Sequence, residues 1–275
     1  MIDDRVVRVS LEINGELRTY EGLRIRANGT KYTSPTQNES TITVSGLRAE
    51  TRDYILGSID ITRGTFTPRR VILEVGRRSL GTFVLFVGDI VGAEVTEPPE
   101  VDLILKAKTN NSNNGRVVST SSGERTTLRE IAQQVAGENG LRLVFEAPNK
   151  NVSNYQFIGT ASQQVRDLER IGGTVDCFID DDTLFVKSVE QPVSGRIRIL
   201  SMGTGLVGIP RATDIGVDVS YLLDAESALG GLLRLDSRFN RTLSGDYVIQ
   251  ELKFDVSTHD DPFFYHASCR RLVNV

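Results

Sequence analysis

Gly203-Thr-Gly205-Leu-Val-Gly208 has the spacing of a loop that cradles a dinucleotide pyrophosphate, and it follows a predicted strand at Arg196 to Leu200. That chemistry needs a helix opening at the glycines, so that its first amides meet the phosphates. Here Ile209-Pro210 follows at once, and a residue before proline is pushed out of the helical region. The stretch is therefore read as a glycine-rich turn. His259-Asp260-Asp261 and His266 carry imidazole and carboxylate groups of the kind that ligate metals, but a site needs three or four convergent ligands, and Pro262 marks the segment as a turn. Asp180-Asp181-Asp182 lacks the alternating spacing and glycine of a calcium loop and is read as a polar hairpin turn. No serine sits in a Gly-x-Ser-x-Gly elbow, and only two histidines are present to act as bases. The 36 acidic residues allow many carboxylate pairs, but the separation that decides glycoside hydrolysis is invisible in a sequence. No catalytic, cofactor-binding or metal-ligating residue is assigned, and the chain is not expected to be an enzyme.

Composition narrows the alternatives. The 275 residues carry a formal charge of −4, which argues against a broad basic surface for nucleic acid. The start, Met1-Ile-Asp-Asp-Arg5, lacks a basic region followed by an apolar one, so no signal peptide is expected and synthesis in a cytosol follows. The longest apolar run, Phe83 to Val87, is far short of the ~20 residues that span a bilayer. Cys177 and Cys269 are then small buried hydrophobes rather than a disulfide. The sequons at Asn28, Asn38, Asn110, Asn151 and Asn240 are chance matches for a chain that is not secreted.

The elements that must position these residues are mostly strands. Val7, Val9, Leu11 and Ile13 alternate before Asn14-Gly15, which predicts a hairpin near 5–20. Leu23 and Ile25 continue the alternation, a polar loop with Pro35 intervenes, and Ile42 and Val44 resume it; Ala49 to Leu56 is one helical turn or two. Strands are expected at 71–75, 82–87, 90–95 and 101–107, punctuated by Gly76, Gly81 and Gly88. Lys108 to Thr126 is so rich in Asn, Ser, Thr and Gly that it reads as a linker or mobile loop. Capping-box spacings at Thr127/Glu130 and Thr160/Gln163 then predict helices near 127–137 and 161–171, with a strand at Leu141 to Phe145 between them. A hairpin around Asp180 to Asp182 completes a small α/β unit. Strands return at 196–200, 215–219, 232–235, 247–256 and 265–272, with no residue-level repeat between the two ends. The fold class is mainly β with a small α/β insertion, divided at 1–107, 108–190 and 191–275.

Three stretches resemble the hub family of bacteriophage tail baseplates. In the first, Gly22-Leu-Arg-Ile-Arg26 leads through Ser34-Pro35 to Thr41-Ile-Thr-Val-Ser-Gly-Leu47 and Phe86-Val-Gly-Asp-Ile-Val91. In the second, Thr127-Leu-Arg-Glu-Ile-Ala132 and Gly140-Leu141 precede Ala161-Ser-Gln-Gln-Val-Arg-Asp-Leu168. In the third, Gly203 to Pro210 leads to Val217 to Leu223 and to Gly245-Asp-Tyr-Val-Ile-Gln-Glu-Leu252. Order and spacing carry the likeness, since each piece is only a strand or turn pattern. The loop 27–40, with Asn28-Gly29 and Thr33-Ser34-Pro35, departs from the family's longer alternation and leaves the strand pairing there open. The resemblance implies two tube-like β-barrel domains flanking the α/β unit, and a homotrimer that imitates a six-fold ring. It further implies a virion component assembled in the host cytoplasm, joining the hexameric tail tube protein to the trimeric central spike protein. Other baseplate proteins and the tape measure protein are implied neighbours, DNA passes through the lumen, and no membrane insertion is implied. The rival readings are a carbohydrate-active or receptor-binding β-domain protein and the equivalent hub of a contractile injection machine.

Overall fold

Alternating apolar residues lay down the first ladder in the computed structural model, which describes residues 4–59 and 69–272. Strand β1 (Arg5–Ile13) turns at Asn14-Gly15, with φ of 54° and 80°, into β2 (Glu16–Glu21). Positive φ at both central residues is what a two-residue hairpin turn needs, and this is the hairpin expected at 5–20. Then come β3 (Ile25–Tyr32), β4 (Glu39–Val44), helix α1 (Ala49–Ser58), β5 (Arg69–Arg77), β6 (Gly81–Val95) and β7 (Leu103–Lys108). The helix is longer than the one or two turns expected. Its Ile55 is fully buried and its Tyr54 hydroxyl accepts from the Asn14 amide at 2.8 Å, so tertiary docking holds a segment of weak helical patterning.

Two glycines expected in turns or as punctuation lie inside strands. Asn28-Gly29 belongs to β3 because Phe254 lies across it: a Cβ on Gly29 would come within 2.4 Å of Phe254 Cζ and 2.5 Å of the Glu39 carbonyl. Gly88 runs through the 15-residue β6, where a Cβ would meet the Phe86 ring at 2.8 Å and the Lys108 carbonyl at 2.9 Å. A missing side chain at these points admits a neighbour instead of ending a strand.

The polar stretch 108–126 is not the structureless linker expected. Within it β8 (Val117–Ser121) pairs with β12 (Gln156–Thr160), β9 (Thr126–Thr127) pairs with β11 (Asn151–Val152), and the Asp89 carboxylate accepts from the Ser112 amide at 2.6 Å. Helices α2 (Leu128–Glu138) and α3 (Ala161–Gly172) both open on complete capping boxes, as their spacing required. With a sheet ordered β10 (Arg142–Glu146), β14 (Thr183–Ser188), β13 (Val175–Asp180) they enclose a core that includes Leu128, Ile131, Val135, Leu168 and Cys177.

The C-terminal strands are β15 (Ile197–Leu200), β16 (Leu206–Ala212), β17 (Gly216–Leu222), β18 (Leu232–Leu235), β19 (Gly245–Ser257) and β20 (Phe263–Arg271). β16 corrects the glycine-rich turn: the stretch makes one short 3₁₀ turn at Met202–Thr204 and then a strand. Pro210 is tolerated because the ladder to β17 shifts register between Val207 and Arg211.

Among the described residues these ends form a single thirteen-stranded sheet. The first set runs β3-β4-β7-β6-β5-β1, with β2 beyond it, and the second runs β16-β17-β20-β19-β18-β15. Matching β1 with β15 and β3 to β7 with β16 to β20, the two orders are the same, although no sequence repeat relates them. One orientation differs, since β1 meets β5 antiparallel while β15 meets β18 parallel. The sets join where β3 pairs along residues 251–257 of β19. Neither set is closed into a ring by a ladder among the described residues, so the architecture is mainly β with an α/β insertion.

Candidate functional site

The hairpin β13–β14 is two-faced because successive side chains of a strand point to opposite sides. Val175 and Cys177 with Leu184 and Val186 face the helices, while Phe178 and Phe185, stacked at 5.0 Å, join the core of the main sheet. The same face carries Asp176 and Lys187, whose buried ammonium meets Asp176 Oδ2 at 2.7 Å and the carbonyls of Ser188 and Gln191 at 3.0 and 3.2 Å. Three donors thus find three acceptors. At its tip the hairpin plugs into the sheet. Lys31 Nζ, 6% exposed, donates to Asp180 Oδ1 at 2.7 Å and to Asp181 Oδ1 at 3.4 Å. Asn38 Nδ2 donates to the Ile179 carbonyl at 3.0 Å, the Val87 amide to Asp181 Oδ1 at 3.0 Å, and Arg70 pairs with Asp182. Asp180 to Asp182 is therefore an ionic plug locking the α/β unit onto the sheet.

Burial depresses the Lys31 ammonium, but Asp180 and Asp181 together outweigh it and hold the pKa above the usual lysine value. Two carboxylates share that one ammonium. Burial, reinforced by the charge of Asp180, pushes Asp181 up to about 6 against the pull of Lys31 and the Val87 amide. A carboxyl raised in the folded state binds more protons there than in the unfolded chain, so its contribution is complete below about pH 4 and is lost as pH rises through about 6. Asp181→Asn removes that loss, and its stability relative to the parent is expected to improve between pH 4.5 and 7.5. A pH-independent difference in urea-denaturation midpoints over that range overturns this assignment.

The outer face of the sheet is polar and grooved. A groove of about 490 Å³ crosses it, lined by residues that include Thr41, Lys106, Lys108, Lys253 and Asp255. Lys106 pairs with Glu94 at 3.2 Å and Lys253 with Glu251 at 2.8 Å, so two of the three lysines here are answered by carboxylates. Ser268 donates to Asp218 at 2.7 Å, and Ser220 and His266 Nδ1 lie 2.7 Å apart.

One edge of the sheet carries several exposed apolar residues. Ile197 and Ile199 on β15, Val207 and Ile209 on β16, and Ile215 just before β17 are all at least 41% exposed. At the opposite end of the order, β2 shows mainly polar side chains with a single large exposed hydrophobe, Leu17. An apolar edge next to unpaired backbone is a surface for adding a strand.

The residues weighed for chemistry are spent elsewhere. Asp260 braces β3 through Arg26 at 2.5 Å, an ion pair that holds its carboxyl below the usual range, while His266 sits apart on β20. Among the described residues no group of three or more His, Cys, Asp or Glu is placed to hold a metal, and no helix is long and apolar enough to cross a membrane. Cys177 and Cys269 are buried free thiols, and burial pushes both pKa values up. Asn38 is fully buried among hydrogen bonds. Lys31 escaped the sequence reading, although a signal existed: it continues the inward positions Ile25, Ala27 and Gly29 at a spacing of two.

A family model described as "Baseplate hub gp41" matches residues 6–269. The fold is similar to the crystal structure of a 43 kDa tail protein of prophage MuSo2 from Shewanella oneidensis, with TM-score 0.63 and 11% identity over 96% of this chain and 98% of that one. A tail protein from Neisseria meningitidis MC58 is alike at TM-score 0.63 and 9% identity, covering 96% of each chain. An E. coli component of the type VI secretion system, described as similar to the T4 bacteriophage tail proteins gp27 and gp5, matches at TM-score 0.62 and 9% identity over 95% of this chain and 76% of that one. A comparison with curated proteins finds no match.

Proposed function

From the fact that the chain belongs to the baseplate hub gp41 family of structural tail proteins, we propose that it is the trimeric hub of a phage tail baseplate or tail tip. In this reading it joins the hexameric tail tube to the trimeric central spike, contacts other baseplate proteins and the tape measure protein, and assembles in the host cytoplasm without entering a membrane. It catalyses no reaction. The division at 1–107, 108–190 and 191–275 then gives two tube-like barrel domains and one α/β unit on the outer rim.

The observation that carries the reading is the strand order shared by the two β sets, because a six-fold tube meets a three-fold spike through a part offering six equivalent units from three chains. The grooved polar wall fits a channel for DNA. Glu94 and Glu251 answer Lys106 and Lys253 there, which weakens the hold that basic side chains would have on phosphates in transit. The fold likeness to a type VI secretion component supports one second reading, the same hub in a contractile injection machine. Native mass spectrometry tests the core of the proposal: a mass of three times 30.3 kDa is expected, and a monomer at micromolar concentration overturns it.

A further inference from the structure

The likeness of the two strand sets says which strand of a second copy completes each of them, and this step rests on the hub reading above. Inside the chain, β19 offers one edge in two parts: β18 takes residues 245–248 and β3 takes 251–257. Its counterpart β6 gives residues 81–90 of the same edge to β5, and no described strand takes 91–95. The counterpart of β3 is β16, which has β17 on one edge and no described strand on the other. Among the described residues, the chain thus makes one junction internally and holds the two halves of a second without a strand partner.

The register of that second junction follows from the first. In its ladder to β7, β6 shifts by one residue between Ile90 and Gly92; in its ladder to β20, β19 shifts between Ile249 and Glu251. Aligning the two bulges matches Glu94 with Lys253 and Val95 with Phe254. Phe254 faces Gly29 in the internal junction, and the ladders through β4 and β17 match Gly29 with Ala212. We propose that residues 94–96, at the end of β6, pair antiparallel with residues 211–213, at the end of β16, of a neighbouring copy, with Val95 opposite Ala212 and Glu94 opposite Thr213.

Two observations agree with this pairing. Val95, the last residue of β6, is 43% exposed. Arg211 falls opposite Thr96 and diagonal to Glu94, within reach of that carboxylate across the strands. The contact is head-to-tail, with different surfaces on the two copies, which is the type that closes into a ring.

Paired cysteines read the register directly, because opposed residues of an antiparallel ladder have Cα atoms about 4.5–5.5 Å apart, inside the disulfide range. The full chain carrying Val95→Cys and Ala212→Cys, oxidised with diamide, is expected to move mostly into covalent dimers and trimers on a non-reducing gel. Glu94→Cys with Thr213→Cys is the second pair, should the first fold poorly, and Val95→Cys with Leu17→Cys is the control expected to stay unlinked. The native cysteines are buried and do not compete. A native trimer in which neither test pair links, or in which the control links equally, overturns this pairing and leaves the hub reading intact. A monomer removes the hub reading itself.

Discussion

Lys31→Ala is expected to cost about 3–5 kcal/mol of stability, because it leaves the Asp180 carboxylate buried with no cation. Asp180 is 9% exposed, and its other described partner is the Asn38 amide at 3.4 Å, too weak a contact to carry a charge. Lys31→Met combined with Asp180→Leu removes the shorter ion pair and should recover part of the stability, since Asp181 loses its ammonium but keeps the Val87 amide. The coupling between the two sites, read from urea midpoints of the singles and the double, isolates the pair. A single-variant loss under about 1 kcal/mol, the size of an exposed ion pair, refutes the buried plug.

Gly29→Ala should cost more than about 3 kcal/mol, above the usual range for one added methyl in a packed core. The reason is the identity of the two atoms it meets: Phe254 Cζ at 2.4 Å is the end of a ring, but the Glu39 carbonyl at 2.5 Å is backbone held in the β3–β4 ladder. A ring can tilt and a laddered carbonyl cannot. Phe254→Leu in the same chain should therefore restore only part of the loss, whereas a clash with the ring alone would be relieved completely. Since Gly29 lies where β3 meets β19, the same variant loosens the joint between the two β sets. Full recovery in the double variant would show that the backbone contact is not limiting.

What could be read without coordinates was local chemistry. The Asn14-Gly15 turn, the capping boxes at Thr127 and Thr160 and the alternation in β1 are properties of a few neighbouring residues, and each formed where its residues required. The order of such pieces also carried the family resemblance, and residues 6–269 match that family. Tertiary structure decided whatever depends on a distant partner. Gly29 and Gly88 resemble turn residues until Phe254, or Phe86 with the Lys108 carbonyl, takes the space where a side chain would stand. Asp180 to Asp182 looks like any solvated turn until Lys31, some 149 positions away in sequence, is buried against it. The shared strand order of the two ends is invisible in the residues, because topology asks only for apolar alternation and a tolerable turn, which many unrelated sequences supply. Which strand pairs with which is settled by the burial of both faces at once, and that is a property of the whole sheet.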